Sequence, residues 1–484
     1  MFIVPQCMIR QRSWFTWLSV TGLLGVALGS VVATGSLSRV HAEAFRILDQ
    51  SASATGQGAA FAAQADDPSA VYFNPAGMTQ LSGVQLTMGT LLIGGSIDYR
   101  SLTGVQATGN FGGAVANPPP SSVYLTANLG ALGVPSLQRV TLGIGVNAPF
   151  GNLTAYPPTT PFATVLTSSA LPLLDIKPTM GVKVNDVLAV GAGLDIYTFS
   201  GLFGEGQVEL QQLAGPEFAT GALALLGSPG DTIELNGTDT AVGFNVGLLV
   251  TPLRNERGQP LVNLAFVYRS HTTLALKGLL INRTQATTFP ASADVNLPQI
   301  LTWGAAVWPI RTARSEWKVE VDVDYADWSS FQNLDIRLAN GLTLPKPRRW
   351  KGVPVVMVGT EYRWLSLRPD WQMALRGGYV YSQTPVPTET FTPDLPDSNY
   401  HALSVGAGWL CTGHGKFLGI IPCGGDGGAH RGGIASIGLD LAYQAILYQE
   451  RTITNNVDPR VNGTWDTTIH VGALNFRVNF ETSR

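Results

Sequence analysis

Residues 45–79 read FRILDQSASATGQGAAFAAQADDPSAVYFNPAGMT, a run of Ala, Gly and Ser that ends in Asp66-Asp67-Pro68 and Asn74-Pro75-Ala76-Gly77. Ala and Gly carry no side chains from which a core can be built, so the run cannot fold alone and must pack inside something else. Asn before Pro favours turn initiation, and Pro75 fixes the backbone there. The stretch lies between an apolar leader and a long series of alternating segments, and it reads as a plug.

The leader sets the compartment. Arg10 and Arg12 precede the apolar run from Trp14 to Ala33, and Val40-His41-Ala42 offers small residues where a signal peptidase reads them. Residues 1–42 are therefore expected to be a signal peptide, with cleavage after Ala42 and Glu43 as the mature N-terminus. The other reading is an uncleaved anchor, for which the run is nearly long enough, although Gly and Ser dilute it. Cys7 precedes the apolar stretch and is no lipobox cysteine.

Composition narrows the class. With 55 Gly in 484 residues and 13% charged residues, the chain is too apolar and too glycine-rich for an ordinary soluble protein. Beyond the leader no apolar run approaches the ~20 residues that a spanning helix needs. A closed barrel is the remaining way to satisfy every backbone group in lipid. The net charge of -3 gives no basic field for nucleic acid.

The expected fold is all-β: a transmembrane antiparallel β-barrel of about 14 strands, formed by residues 83–484, with residues 43–82 as a short N-terminal hatch in its lumen. Period-2 alternation supports it. Trp317, Val319, Val321, Val323 and Tyr325 point one way, and Lys318, Glu320, Asp322 and Asp324 the other. Leu474, Phe476, Val478 and Phe480 alternate with Asn475, Arg477 and Asn479. Such segments fall at 84–99, 122–130, 139–147, 174–184, 187–200, 240–251, 261–270, 299–308, 316–325, 353–364, 371–381, 400–411, 434–447 and 468–480. An even number places both ends of the barrel on the periplasmic side, and short connections such as Asn185-Asp186 alternate with long ones that face outward.

Read along its length, the mature chain resembles the FadL/TodX-type long-chain fatty acid and hydrocarbon transporters of the bacterial outer membrane. Asn74-Pro75-Ala76 matches the family's hatch motif. Gly145-Val146-Asn147-Ala148-Pro149-Phe150-Gly151, Lys177-Pro178-Thr179-Met180-Gly181, Asp324-Tyr325-Ala326-Asp327-Trp328-Ser329, Arg376-Gly377-Gly378-Tyr379 and Leu395-Pro396-Asp397 are similar to further landmarks in the same order. The family's last strand usually stops at an aromatic residue, whereas Glu481–Arg484 follow Phe480 here.

The resemblance implies uptake of long-chain fatty acids or aromatic hydrocarbons through the outer membrane of a Gram-negative-type bacterium, with Phe45, Asn74, Pro75 and Ala76 gating the passage. Capture falls to apolar outer loops: Leu210, Leu213, Phe218, Leu223 and Leu226, spaced compatibly with amphipathic helices, and Leu276, Leu280 and Phe289 in the next loop. These residues could equally pack the loops on one another. A carboxylate head group wants a cation in an apolar pocket, and Arg269, Arg376 and Arg477 are candidates, although Glu320, Asp322, Asp324 and Asp440 supply counter-ions. The expected partners are a hydrophobic small molecule and outer-membrane lipid, the expected state is a monomer, and no cofactor or metal is assigned.

Cys411 and Cys423 bracket a Gly-rich connection in an oxidising compartment and are expected to form a disulfide. A tetrahedral metal site with His414 and His430 is the less favoured reading of the same residues. No G-x-S-x-G occurs, and His271, His401 and His470 lie far apart without an evident Ser partner. No enzyme activity is expected. The rival function is a porin for small hydrophilic solutes, which would lack a plug.

Overall fold

The computed structural model describes residues 43–201, 206–424 and 433–480. The leader with its cleavage site, His430 and Glu481–Arg484 lie outside the described residues.

Fourteen antiparallel strands close into one barrel: β1 (Val84–Ser101), β2 (Ser121–Asn128), β3 (Val140–Asn147), β4 (Leu174–Lys183), β5 (Leu188–Thr198), β6 (Ala241–Arg254), β7 (Pro260–Arg269), β8 (Gln299–Arg311), β9 (Ser315–Asp327), β10 (Val353–Arg368), β11 (Trp371–Ser382), β12 (Tyr400–Thr412), β13 (Ile434–Tyr448) and β14 (Gly463–Phe480). Each pairs with its neighbour in sequence. The ring closes where β1 meets β14, from Val84 opposite Phe480 to Ser101 opposite Gly463. Every expected strand is present. The largest shift in a strand start is in the last, which begins at Gly463 rather than at 468.

Side-chain alternation decides the faces. Leu403, Val405, Leu441 and Leu474 are exposed on the outer wall, whereas Lys318, Glu320, Asp322, Asp440 and Asn475 are buried on the inner one. An apolar belt faces lipid and a polar lining faces the lumen, the reverse of a soluble protein.

Outside the belt the long connections form a second tier of sheet. Gln106–Asn110, Gly151–Ala155, Ser168–Pro172, Val208–Leu213, Thr232–Gly237, Thr272–Asn282, Thr287–Leu297, Ile336–Leu338 and Thr343–Leu344 pair in succession. This corrects the helical reading of the loop around Leu210. Val208–Leu213 is a strand held on one edge by Ser168–Ala170 and on the other by Thr232–Gly237. Beyond it, Gly215, Pro216 and Gly221 break the chain into two short 3₁₀ turns, Pro216–Ala219 and Gly221–Leu225.

Val405 is 61% exposed near the middle of β12. Val405→Arg is expected to cost about 2–4 kcal/mol of folding free energy in phospholipid bilayers, the penalty for a cation at the bilayer midplane, measured by denaturant titration of the reconstituted barrel.

Candidate functional site

The segment that precedes β1 occupies the lumen. Every residue from Leu48 to Met78 except Asp66 is buried. Its own secondary structure is slight: two four-residue helical turns, Ala52–Thr55 and Ala70–Phe73, and the 3₁₀ helix Pro75–Gln80. Its turns pair many of its amides internally but not those of Ala52 and Phe61–Gln64, and buried amides without partners are costly. The barrel supplies them. Asp322 Oδ2 accepts from the Phe61 and Ala62 amides at 2.9 and 2.8 Å, and Glu320 Oε1 accepts from Ala63 and Gln64 at 2.7 and 3.2 Å. Asn475 Oδ1 accepts from the Ala52 amide at 2.7 Å, and Asn263 Nδ2 donates to the Ala63 carbonyl at 2.9 Å.

Asn74 is the pivot of the Asn-Pro-Ala turn. Its Oδ1 caps the following 3₁₀ helix by accepting from Ala76 N at 3.0 Å, while its Nδ2 donates to Ala62 O at 2.9 Å and to Leu248 O of β6 at 3.1 Å. Pro75 takes the first helical position, where its missing N–H costs nothing. The turn presses so closely on the wall that a Cβ on Gly191 would lie 2.4 Å from the Pro75 carbonyl carbon, and one on Gly378 would lie 2.1 Å from that of Gln57. Glycine at these points makes room for the segment.

Between the start of this segment and the outer part of the wall lies a cavity of about 480 Å³. Such a volume falls in the range of small-molecule sites. Its apolar wall includes Phe45, Ile93, Phe150, Leu171, Leu173 and Ile469, and its polar groups include Arg46, Asp49, Asp397 and Gln444. Phe45 sits edge-on to Trp328 at 4.8 Å and to Phe150 at 6.1 Å, with Trp350 at 5.8 Å. The backbone at this point is tied by two bonds to the loop after β3: Ile47 N donates to Pro149 O and Gly151 N to Phe45 O, each at 2.9 Å. Arg46 donates to Glu43 at 2.7 Å and to Asp324 of β9 at 2.5 Å. Asp397 accepts from Thr384 Oγ1 at 2.5 Å and from the Ala44 amide at 3.3 Å. Burial pushes the Asp49 carboxyl up to about 6 and the Asp397 carboxyl up to about 7.

Of the residues singled out in the sequence, Phe45 stands at the cavity and Asn74, Pro75 and Ala76 at the seat of the segment. Arg269, Arg376 and Arg477 do not reach the cavity. The Arg269 guanidinium lies 3.9 Å from the centre of the Tyr72 ring and donates to the Tyr72 carbonyl. Arg376 bridges Glu361 and Asp440 at 2.7 Å each, and Arg477 approaches Asp440 at 3.8 Å. All three stand outside the cavity lining, Arg376 and Arg477 against lumen carboxylates and Arg269 against Tyr72.

None of the eight apolar loop residues lines the cavity. Phe218, Leu226 and Leu280 are buried together with Ile233 and Ile336, with Leu223 and Phe289 packed against them. Leu276 and Leu210 join the aromatic cluster around Trp328 instead, and Leu213 is half-buried. The loops thus pack largely on one another. Cys411 and Cys423 are bonded, with Cα atoms 5.6 Å apart. His401 and His470 each lie on the outer wall with Nδ1 hydrogen-bonded to a tyrosine hydroxyl, Tyr379 at 2.7 Å and Tyr443 at 2.8 Å.

Arg46, Asp49 and Asp397 escaped the sequence reading as cavity residues. The one available signal was that Arg46 and Asp49 are the charged residues within Phe45–Gln50, a segment already read as lying inside a barrel.

Residues 32–416 match the sequence profile of the outer membrane protein transport protein family (OMPP1/FadL/TodX). The chain belongs to this family. Among relatives, the long-chain fatty acid transport protein of Salmonella typhi is 23% identical over 380 residues, 73% of this chain and 81% of the relative. Its counterpart in Escherichia coli K12 is 24% identical over 387 residues, 73% and 82% of the two chains. The fold is shared with a FadL homologue of Pseudomonas aeruginosa (TM-score 0.70, 17% identity, 90% of this chain and 100% of that one). It is also shared with the P. putida toluene transporter TodX (TM-score 0.56, 16% identity, 86% and 95%). Membership in this family places the protein in the outer membrane.

Two predictions follow from these anchors. Asp322→Ala leaves the Phe61 and Ala62 amides without partners, at about 1–3 kcal/mol each, and is expected to raise proteolytic cleavage within residues 55–66 of the reconstituted protein while the barrel keeps its folded mobility on gels. The second concerns pH. Burial raises Asp49 and Asp397 above their unfolded values, so the native state holds their protons longer than the unfolded one. Asp49 and Asp397 therefore contribute fully to docking of residues 44–50 below about pH 4, and their contribution is lost as pH rises through about 6 to 7. Amide exchange of residues 44–50, corrected for intrinsic rates, is expected to be slower at low than at neutral pH, with Asp397→Asn flattening the dependence.

Proposed function

We propose that the protein takes up long-chain fatty acids or aromatic hydrocarbons, holds them in the cavity beside Phe45, and passes them on by displacement of its N-terminal segment. The observation that carries this reading is the burial of residues 48–78 inside the lumen, Asp66 apart, with an apolar cavity of about 480 Å³ at the segment's leading end. A porin for hydrophilic solutes needs an open aqueous lumen, so the filled lumen favours the hydrophobic carrier. The long-chain fatty acid transport proteins and the toluene transporter among its relatives point to the same ligand classes.

The segment divides into a latch and an anchor. Phe45–Ile47 is tied by two backbone bonds and the Arg46 ion pairs, and it walls the cavity. Asn74-Pro75-Ala76 is locked against β5 and β6. The latch is the part that moves, and the anchor keeps the rest from leaving the barrel. Phe45 contacts ligand from the latch. Leu213, Leu223 and Phe289, partly exposed on the outer tier, make first contact with it, while Phe218, Leu226, Leu276 and Leu280 hold the loops in shape. For a fatty acid, Arg46 is the cavity-lining cation that meets the carboxylate, in place of Arg269, Arg376 and Arg477. Catalysis plays no part.

In proteoliposomes the intact protein is expected to take up labelled oleate or toluene while showing little ionic conductance. Deletion of residues 43–50 is expected to abolish selective uptake and leave the barrel folded. Arg46→Gln separates the ligand classes: loss of a charged hydrogen bond predicts about a tenfold larger fall for oleate than for toluene. Large steady conductance of the intact protein without hydrophobic uptake would reinstate the porin.

A further inference from the structure

The connection between β12 and β13 lies on the periplasmic side, away from the cavity. Along β11 to β14 the outward-facing register is marked by Leu375, Val405, Leu441 and Leu474, all exposed. Stepping by twos along the same strands reaches Trp371, Cys411, Ile437 and Phe476, which therefore also belong to the outer wall. Yet Cys411 is 0% and Ile437 1% exposed. They are covered by the hairpin Lys416–Phe417/Ile421–Pro422, closed at its base by the Cys411–Cys423 disulfide. Phe417 at its centre is buried against the rings of Trp371 and Phe476, at 6.5 and 5.8 Å. The connection thus folds back over the lipid-facing side of the barrel.

Its tip continues outward from there. Leu418 is 77% and Ile420 80% exposed, the highest values among large apolar side chains of the described residues. Leu418 and Gly419 turn the chain with φ of +52° and +74°, which presents both side chains at the apex. Lys416 is exposed at the flank. Two adjacent aliphatic side chains on a wall continuous with the apolar belt, beside a cation, match the pattern of interfacial segments that bury an apolar edge at the headgroup–acyl boundary.

We propose that the disulfide-closed hairpin 411–423 is a lipid anchor, which inserts Leu418 and Ile420 into the periplasmic leaflet of the outer membrane and covers the wall of β11–β14 at that level. The occupant of this surface is lipid, and the disulfide keeps the tip against the wall.

The test uses the full mature protein in vesicles of phosphatidylethanolamine and phosphatidylglycerol, with a nitroxide on Leu418→Cys or Ile420→Cys and the native disulfide intact. Val405→Cys serves as the lipid-facing reference, and Arg257→Cys, in the periplasmic turn 255–259, as the aqueous one. Collision with a water-soluble nickel chelate is expected to be several-fold lower at 418 and 420 than at 257, and collision with oxygen to approach that at 405. Nickel accessibility equal to that at 257 would overturn the proposal, and would leave a protein partner in the periplasm as the occupant to seek. A second measurement avoids new cysteines: a phospholipid with a diazirine on its acyl chain is expected to label the wild-type peptide containing Leu418 and Ile420. Labelling of the barrel wall without labelling of that peptide would likewise overturn it.

Discussion

Four consecutive amides of the N-terminal segment, Phe61 to Gln64, are held by two carboxyl groups on alternate residues of one strand, Asp322 and Glu320 of β9. A chain of Ala and Gly has little apolar surface to offer and few side chains with which to satisfy its own backbone. The surrounding wall brings acceptors to the amides that the segment itself leaves unpaired. The same strand adds Asp324 to the Arg46 latch and Lys318 to the Ala60 carbonyl at 3.4 Å. Its lumen face is therefore dedicated to the segment over most of its length, while its other face, with Trp317, Tyr325 and the valines between them, meets lipid.

This arrangement explains why the lumen is so rich in charge and yet leaves little of it free. Lys177 lies against Asp175 and Asp195, and Arg376 against Glu361 and Asp440. Removing one member of such a buried set strands the others without a partner. The cavity lies where this polar packing gives way to rings and aliphatic side chains, at the boundary between the lumen and the outer tier. A hydrophobic molecule entering there meets Phe45 and Phe150 before it meets any of the deeper ion pairs.

The barrel was legible because its signal is local. In Trp317–Tyr325 each residue declares its face by its own chemistry, and the strands follow without knowledge of their neighbours. The outer tier was not legible for the opposite reason. Val-Glu-Leu-Gln-Gln-Leu at 208–213 fits a helix or a strand, and the choice is made by residues 168–170 and 232–237, which supply the edges. The surroundings of the arginines were hidden for a similar reason. Nothing in the sequence says that Arg376 on β11 reaches Asp440 two strands away, or that Asp397 meets the Ala44 amide from the far end of the chain. The Asn-Pro-Ala turn was recognisable as a motif, but its seat on Gly191 depends on a register that only the closed ring defines.

The seam between the first and last strands has a bearing on assembly. Its outer side finishes the belt with Leu474, and its inner side carries Asn475, which grips Ala52 of the segment. One ladder thus both seals the cylinder and clasps its stopper. A nascent barrel whose final strand has not yet docked lacks part of the grip on its own plug, so completion of the wall and retention of what fills it are a single step.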